Sequence, residues 1–83
     1  MTRVELAQRF EDTGWQLRLG RDAEAMLAFP ELLELLQQSF GQGWLDVEAS
    51  MPVLEELLSA HERGDHLLMA DIMELIIARS LRG

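Results

Sequence analysis

The spacing of the apolar residues constrains the fold of this 83-residue chain more than any other feature. Apolar side chains recur three and four positions apart along most of the sequence, which is the spacing of amphipathic helices rather than the alternation of strands. Glycine and proline are sparse and separate the apolar stretches. The pattern predicts an all-α fold, a single helical domain spanning residues 1–83, arranged as a small antiparallel bundle of three to four helices.

We predict helices over about residues 3–19, 22–40, 50–63 and 65–81. Thr2 and Glu5 match a capping box at the first helix, and the apolar phase continues across Pro30. We therefore expect one helix over 22–40, kinked at that proline, rather than two separate helices. Gly14 falls on the inner face of the first helix, where its small size would let a neighbouring helix approach closely.

The starts of the three later helices are predicted from capping residues. Asp22, Ser50 and Asp65 each precede an apolar-periodic stretch, and side chains of these types accept hydrogen bonds from the free N–H groups of a first helical turn. Residues 44–49, before Ser50, are compatible with either a loop or a short helical turn.

The helix predicted over 65–81 has the widest apolar coverage in the chain. Its apolar side chains sweep about 180° of the circumference, whereas a surface helix needs only about 100°. Either this helix is buried among the other three, or it has a core side and a partner or dimer side. On the second hypothesis we assign Leu68, Ile72 and Leu75 to the core, and we expect the opposite apolar side to bind a partner through Met69, Met73, Ile76 and Ile77.

Four further residues complete the predicted partner-binding set. Trp15 and Trp44 are amphipathic anchors of the kind that interfaces favour. Asp71 and Glu74 mark the polar strip of the last helix, where they are either solvated or paired with arginines of a neighbouring helix or chain. Paired carboxylates can perform acid–base chemistry, but no nucleophile, metal set or phosphate-binding loop accompanies them. We therefore predict a protein that is not an enzyme and that needs no cofactor.

The acidic charge is concentrated in the middle of the chain. The net charge is −8, and residues 22–62 contain nine acidic residues but no lysine or arginine. Such a surface repels phosphate backbones and anionic lipid, so we expect neither a nucleic-acid nor a membrane partner. It favours a basic protein partner, or it allows the chain to act as an inhibitor by DNA mimicry. Alternatively, it is a solvated face that maintains solubility.

The absence of cysteine excludes disulfides, thiol catalysis and cysteine-ligated zinc. The N-terminal residues contain no apolar signal-peptide core, and no apolar run approaches the roughly 18 residues that suggest a membrane span. We expect a cytoplasmic location. His61 and His66 are five residues apart with Gly64 between them, whereas a zincin motif needs histidines four apart on one helix, so His61 is better interpreted as a core or interface residue.

The stretch from Ala49 to Leu57 resembles the helix start of acyl carrier proteins, in which a serine carries the prosthetic arm. Here Ser50 would be that serine, but Ala49 replaces the preceding aspartate and Pro52 follows two residues later. A divergent carrier role is therefore one alternative function.

A second resemblance covers about 18 residues at the C-terminus. The segment from Gly64 to Leu75 resembles the Gly-Asp-x-x-Leu-x-Ala-Asp-x-x-Glu segment of small, uncharacterised helical proteins of Gram-positive bacteria, some of them linked to motility. His66 replaces the aromatic residue of that segment. The resemblance implies a helical fold and a bacterial setting but no activity.

Together these patterns lead to one principal hypothesis for function. We expect a helical protein–protein interaction module, either a homodimer or a chaperone-like adaptor, whose partner is another protein or a second copy of the chain.

Overall fold

A computed structural model describes residues 1–83 and contains only helices and their connections. Helix α1 spans Arg3–Arg18, α2 spans Asp22–Gly41 and α3 spans Val47–Arg63. The C-terminal helix, α4, runs without interruption over 66–82. It has an α-helical start at His66–Asp71, a π-helical stretch at Ile72–Ala78 and a final α-helical turn at Arg79–Arg82. The prediction of an all-α fold with four helices is confirmed.

Two of the predicted helix starts are confirmed by their capping hydrogen bonds. The Thr2 backbone N–H donates to the Glu5 carboxylate at 3.0 Å, and the Glu5 N–H donates to the Thr2 hydroxyl at 3.1 Å. At α4, the Leu68 N–H donates to the carboxylate of Asp65 at 3.2 Å. Gly64, just before Asp65, has φ 69°, a left-handed conformation that closes α3 and that glycine adopts without strain.

Two other predicted capping residues are wrong, although α2 begins at residue 22 as predicted. Helix α3 begins at Val47 rather than at Ser50, because Asp46 caps it by accepting a hydrogen bond from the Ala49 N–H at 2.9 Å. Ser50 therefore lies in the first turn of α3. At α2 the capping position is Arg21, which makes no side-chain cap, and Asp22 is the first helical residue. The Asp22 carboxylate instead lies 3.1 Å from the Nδ1 of His66 on α4.

Helix α2 continues through Pro30, as the unbroken apolar phase predicts. The proline is exposed, on the side of α2 away from the buried residues Ala25, Phe29, Leu32 and Leu36. Proline lacks the N–H that would close a helical turn, and its ring is tolerated more readily where no other element packs against it. The single helix is thus confirmed, whereas the kink at Pro30 stays a prediction.

Helices α1 and α4 form the centre of the fold. They contact each other along their length, while α2 packs mainly on α1 and α3 packs mainly on α4. All four helices contribute to one core of 17 buried apolar side chains, so the flanking helices are held by the central pair. The backbones of α2 and α3 approach each other at few points. This arrangement leaves a seam between α2 and α3.

The side chains of α4 do not divide as the sequence predicts. Met69, Met73 and Ile77, which we assigned to a partner surface, are buried in the core of the chain itself, and Leu75, which we assigned to the core, is exposed. Ile72 is buried and Ile76 is exposed, as predicted.

The sequence shows how wide the apolar coverage of α4 is but not which apolar side packs inward, and the side that does so carries a π-helical stretch. Met69, Met73, Ile77 and Leu81 follow one another at intervals of four and are all buried. Four residues of an α-helix overshoot one turn by about 40°, so this series would drift steadily around a regular α-helix. A π-helix forms hydrogen bonds between residues five apart and therefore has a wider turn. The stretch Ile72–Ala78 keeps the four-residue series on one face.

Candidate functional site: an apolar groove between α2 and α3

The seam between α2 and α3 opens into two adjoining hollows, which we call the α2–α3 groove. The first has a volume of about 400 Å³ and is lined in part by Trp44, in the connection between the two helices. Eight of its 11 lining residues are hydrophobic, so its chemistry suits an apolar ligand. They come from α2, the connection, α3 and α4: Leu36, Trp44, Leu45, Ala49, Val53, Leu54, Ile76 and Ile77.

The second hollow continues the first, because Leu36 and Leu54 line both. Its volume is about 240 Å³, and its apolar walls are formed by side chains of α2 and α3 alone. These residues are Leu33, Leu36, Phe40, Leu54 and Leu58. The two hollows together provide an open apolar channel between two helices, which is the kind of surface that binds an amphipathic helix.

An exposed apolar stripe on α3 extends the groove toward solvent. Val47, Met51, Leu54 and Leu58 are separated by four, three and four residues, so they lie on one face of the helix. Met51 is 42% exposed and Leu58 is 38% exposed, although both are large apolar side chains. A contiguous apolar stripe that the fold leaves uncovered indicates a contact surface, whereas single exposed apolar residues are ordinary.

The charged residues near the groove are acidic. Glu34 lines the second hollow beside Gln37, and Asp46 lines the first. The Asp46 carboxylate is engaged in capping α3, but Glu34 makes no hydrogen bond or ion pair within the chain. Glu34 is therefore free to interact with a ligand in the groove.

Trp15 lies outside the groove, in a separate depression between α1 and α4. It is 59% exposed and shares a shallow depression with Leu75 and Arg79, beside the acidic residues Glu11, Asp12 and Glu74. This depression is lined mainly by charged residues, with only two hydrophobic ones. It resembles ordinary solvated surface more closely than the α2–α3 groove does.

Asp71 and Glu74 are joined by an arginine of the neighbouring helix. Arg18 of α1 donates from Nη2 to Asp71 at 2.7 Å and from Nε to Glu74 at 3.1 Å. These contacts, that with Asp71 foremost, raise the pKa of the Arg18 guanidinium above its ordinary value, although partial desolvation opposes the shift. One of the two alternatives for these carboxylates, pairing with an arginine of a neighbouring helix, is therefore what the structure shows. Both carboxylates connect α4 to α1.

Gly14 explains how Glu74 can lie so close to α1. A β-carbon at position 14 would be 2.8 Å from the Glu74 Cγ and 2.9 Å from its Oε1. Gly14 is buried, as predicted, and its missing side chain makes room for this glutamate rather than for the backbone of another helix.

The histidines and Ser50 occupy separate places. The His61 ring lies 4.8 Å from the ring of Phe29, tilted by 32°, while His66 faces Asp22. No cluster of three or more histidine and acidic side chains has a geometry suited to a metal ion. Ser50 lies in the first turn of α3, after the capping residue Asp46, and lines the first hollow.

The structure divides the predicted partner-binding residues into four groups. Trp44, Ile76 and Ile77 line the first hollow, whereas Trp15 lines a separate depression. Asp71 and Glu74 bind Arg18, and Met69 and Met73 are fully buried. The sequence analysis missed the groove side chains Leu33, Phe40, Leu54 and Leu58 as contact residues.

One signal in the sequence could have revealed the α3 wall of the groove. The series Val47, Met51, Leu54 and Leu58 has regular helical spacing, and all four members belong to one helix only if that helix begins at Val47. With a predicted start at Ser50, the first member of the series lay outside the helix.

Comparisons of the chain with models of protein families, with curated proteins and with solved structures give no match. None of the four helices combines the length and the apolar character that crossing a lipid bilayer requires.

Proposed function

We propose that this chain is a non-enzymatic protein-interaction module, which works as an adaptor by holding an apolar helical segment in the α2–α3 groove. The observation that carries the proposal is the groove itself, an open apolar channel flanked by the partly exposed stripe Val47, Met51, Leu54 and Leu58. A second copy of the chain and a different protein can both supply such a segment.

The arrangement of the helices supports this mode of binding. The connection between α2 and α3 covers only residues 42–46, and so short a connection favours antiparallel neighbours within a helical bundle. Two neighbouring helices splayed around an apolar floor form a trough into which a third helix can pack. Ile77 and Leu36 of the core supply that floor.

The pairing of Asp71 and Glu74 supports the non-enzymatic part of the proposal. Both carboxylates are occupied by Arg18, in a contact that joins two helices. A general acid or base must instead be free to reach the proton that it transfers. The contacts of this pair therefore suit a structural role.

A peptide-binding experiment tests the proposal. The probe is a synthetic amphipathic helix with leucines at positions i, i+3 and i+7 and glutamines elsewhere, added to a Trp15→Phe variant so that only Trp44 reports. We expect a saturable shift of the Trp44 emission, because this side chain lines the groove. Apolar burial should also give a negative heat-capacity change in calorimetry.

Two leucine variants provide the matched comparison. Leu58→Glu places a charge in the groove, whereas Leu27→Glu places one on a leucine that is 84% exposed and lines neither hollow. We expect the first to weaken peptide binding by about tenfold or more, since a buried unpaired charge is costly, and the second to leave it unchanged. Equal affinities of the two variants for the peptide would refute the proposal.

A further inference from the structure

The charge around the α2–α3 groove has one sign. Glu34 lines the groove, and Glu55 and Glu62 lie three residues before and four residues after Leu58, which places them beside it on α3. None of these three carboxylates forms an ion pair within the chain. The one arginine of the two walls, Arg63 at the end of α3, contacts Glu56 and Ser59 rather than any of these three carboxylates.

We infer that the segment held in the groove is a basic amphipathic helix of a different protein, an inference that rests on the proposed function. Its apolar side chains, spaced as i, i+3 or i+4, and i+7, would enter between Leu33 and Phe40 on one wall and Leu54 and Leu58 on the other. Lysine or arginine residues beside these apolar side chains would reach the carboxylates on both walls of the groove. Complementary charge of this kind accelerates association and selects against wrong partners.

A second copy of the chain fits the groove less well. Each copy carries a net charge of −8, so two copies repel each other. Four of the seven arginines pair with acidic residues of their own chain, which leaves Arg3, Arg21 and Arg79. These three lie at the start of α1, in the turn before α2 and near the end of α4, so they do not form one basic helical face.

Three synthetic peptides test the inference by calorimetry with the whole chain. They share one leucine face and differ only in the flanking residues, which are lysine, glutamine or glutamate. An exposed ion pair changes an association constant by roughly 1.4- to 5-fold, so three pairs predict that the lysine peptide binds about tenfold tighter than the glutamine peptide at low salt. This advantage should shrink in about 0.5 M salt, where screening is strong, and the glutamate peptide should bind least tightly.

Two charge variants show whether the groove carboxylates are responsible. Glu34→Gln with Glu62→Gln removes one charge that lines the groove and one that lies beside Leu58 on α3, whereas Asp12→Asn with Glu24→Gln removes two charges on α1 and the first turn of α2, outside both hollows. The net charge changes equally in both. We expect the first pair to reduce the advantage of the lysine peptide several-fold, and the second pair to change it less than twofold.

The possible outcomes separate the inference from the proposed function. If the glutamine peptide binds as tightly as the lysine peptide and both lose affinity on Leu58→Glu, the groove is a binding site but its partner is not basic, and the inference alone fails. If Leu58→Glu changes the affinity of none of the peptides, the inference and the proposed function both fail. Light scattering completes the test, because self-association that Leu58→Glu abolishes would identify a second copy as the occupant and overturn the inference.

Discussion

Gly14 on α1 and Glu74 on α4 are so close that an added β-carbon at position 14 would stand 2.8 Å from the Glu74 Cγ. The Glu74 side chain is only 20% exposed, and its carboxylate is held by the Nε of Arg18. It therefore has little freedom to move aside. Glycine in the middle of a helix lowers stability by about 1 kcal/mol relative to alanine. In α1 the glycine is needed nevertheless, because it leaves room for Glu74 of α4.

We predict that Gly14→Ala destabilises the protein by about 1 kcal/mol. Overpacking costs roughly 1–3 kcal/mol, and the better helix propensity of alanine offsets about 1 kcal/mol of it. Urea denaturation followed by circular dichroism measures the change in the free energy of unfolding. In a Glu74→Ala background the steric conflict is absent, so the same substitution should stabilise the protein by up to about 1 kcal/mol.

Gly41→Ala is the matched control for that measurement. Gly41 is the last residue of α2, it has no positive φ, and an added β-carbon there would meet nothing within 4 Å. Its substitution should be neutral or slightly stabilising. A Gly14→Ala variant as stable as Gly41→Ala would show that Glu74 moves aside at no cost, contrary to the tight contact.

Arg18, which binds two carboxylates of α4, is predicted to stabilise the fold more than Arg9, which binds one carboxylate. Removing it with Arg18→Met leaves the partly buried Glu74 without its partner, and we expect a loss of about 1 kcal/mol. Arg9→Met breaks a pair with Glu31 in which both side chains are about half exposed, so we expect a loss below about 0.5 kcal/mol. Denaturant midpoints of the two variants provide the comparison, and equal losses would contradict it.

The capping box at α1 predicts a dependence of stability on pH. Hydrogen bonds from the Thr2 backbone N–H and from the Thr2 side chain lower the pKa of Glu5 below its ordinary value of 4.5. A carboxyl group whose pKa is lower in the folded than in the unfolded chain adds stability above the unfolded value and loses it as the pH falls through the folded value. The contribution of Glu5 should therefore disappear as the pH drops below about 4.5.

Glu5→Gln isolates this effect, because glutamine can also complete a capping box but does not titrate. The free energy of unfolding of the wild-type chain minus that of Glu5→Gln should decrease between about pH 5 and pH 3, while contributions of the other carboxylates cancel. A difference that is constant over this range would mean that the Thr2–Glu5 hydrogen bonds do not persist in solution.

Local sequence signals predicted most of the fold correctly. The capping residues Thr2 and Asp65, together with Gly64 between α3 and α4, act within a few residues of where they stand, so a reader of the sequence can recognise them. The place of Gly14 on the inner face of α1 was predicted correctly for the same reason. The buried residues of this helix follow regular α-helical geometry.

The candidate site could be predicted only in part, because it depends on how helices pack. Trp44 and Ile76 were among the predicted contact residues and do line the groove. The groove itself arises because α2 and α3 diverge while each packs on a central helix, and no local pattern encodes that divergence. In the same way, helical spacing places Met69, Met73 and Ile77 on one side of α4, but no local pattern shows that this side faces the core.

The final prediction concerns which side chains of α4 are buried. Met73 is fully buried and Ile76 is 44% exposed, although both belong to the π-helical stretch and both were assigned to one partner surface from the sequence. We expect Met73→Ala to cost about 2–4 kcal/mol, since it leaves a cavity in the core, and Ile76→Ala to cost less than about 1 kcal/mol. Met51→Ala, at a methionine that is 42% exposed, is the control for residue type and should also cost less than about 1 kcal/mol. Chemical denaturation of the three variants tests which side of α4 packs inward. If Met73 lay on the outer side, Met73→Ala would be as mild as Met51→Ala.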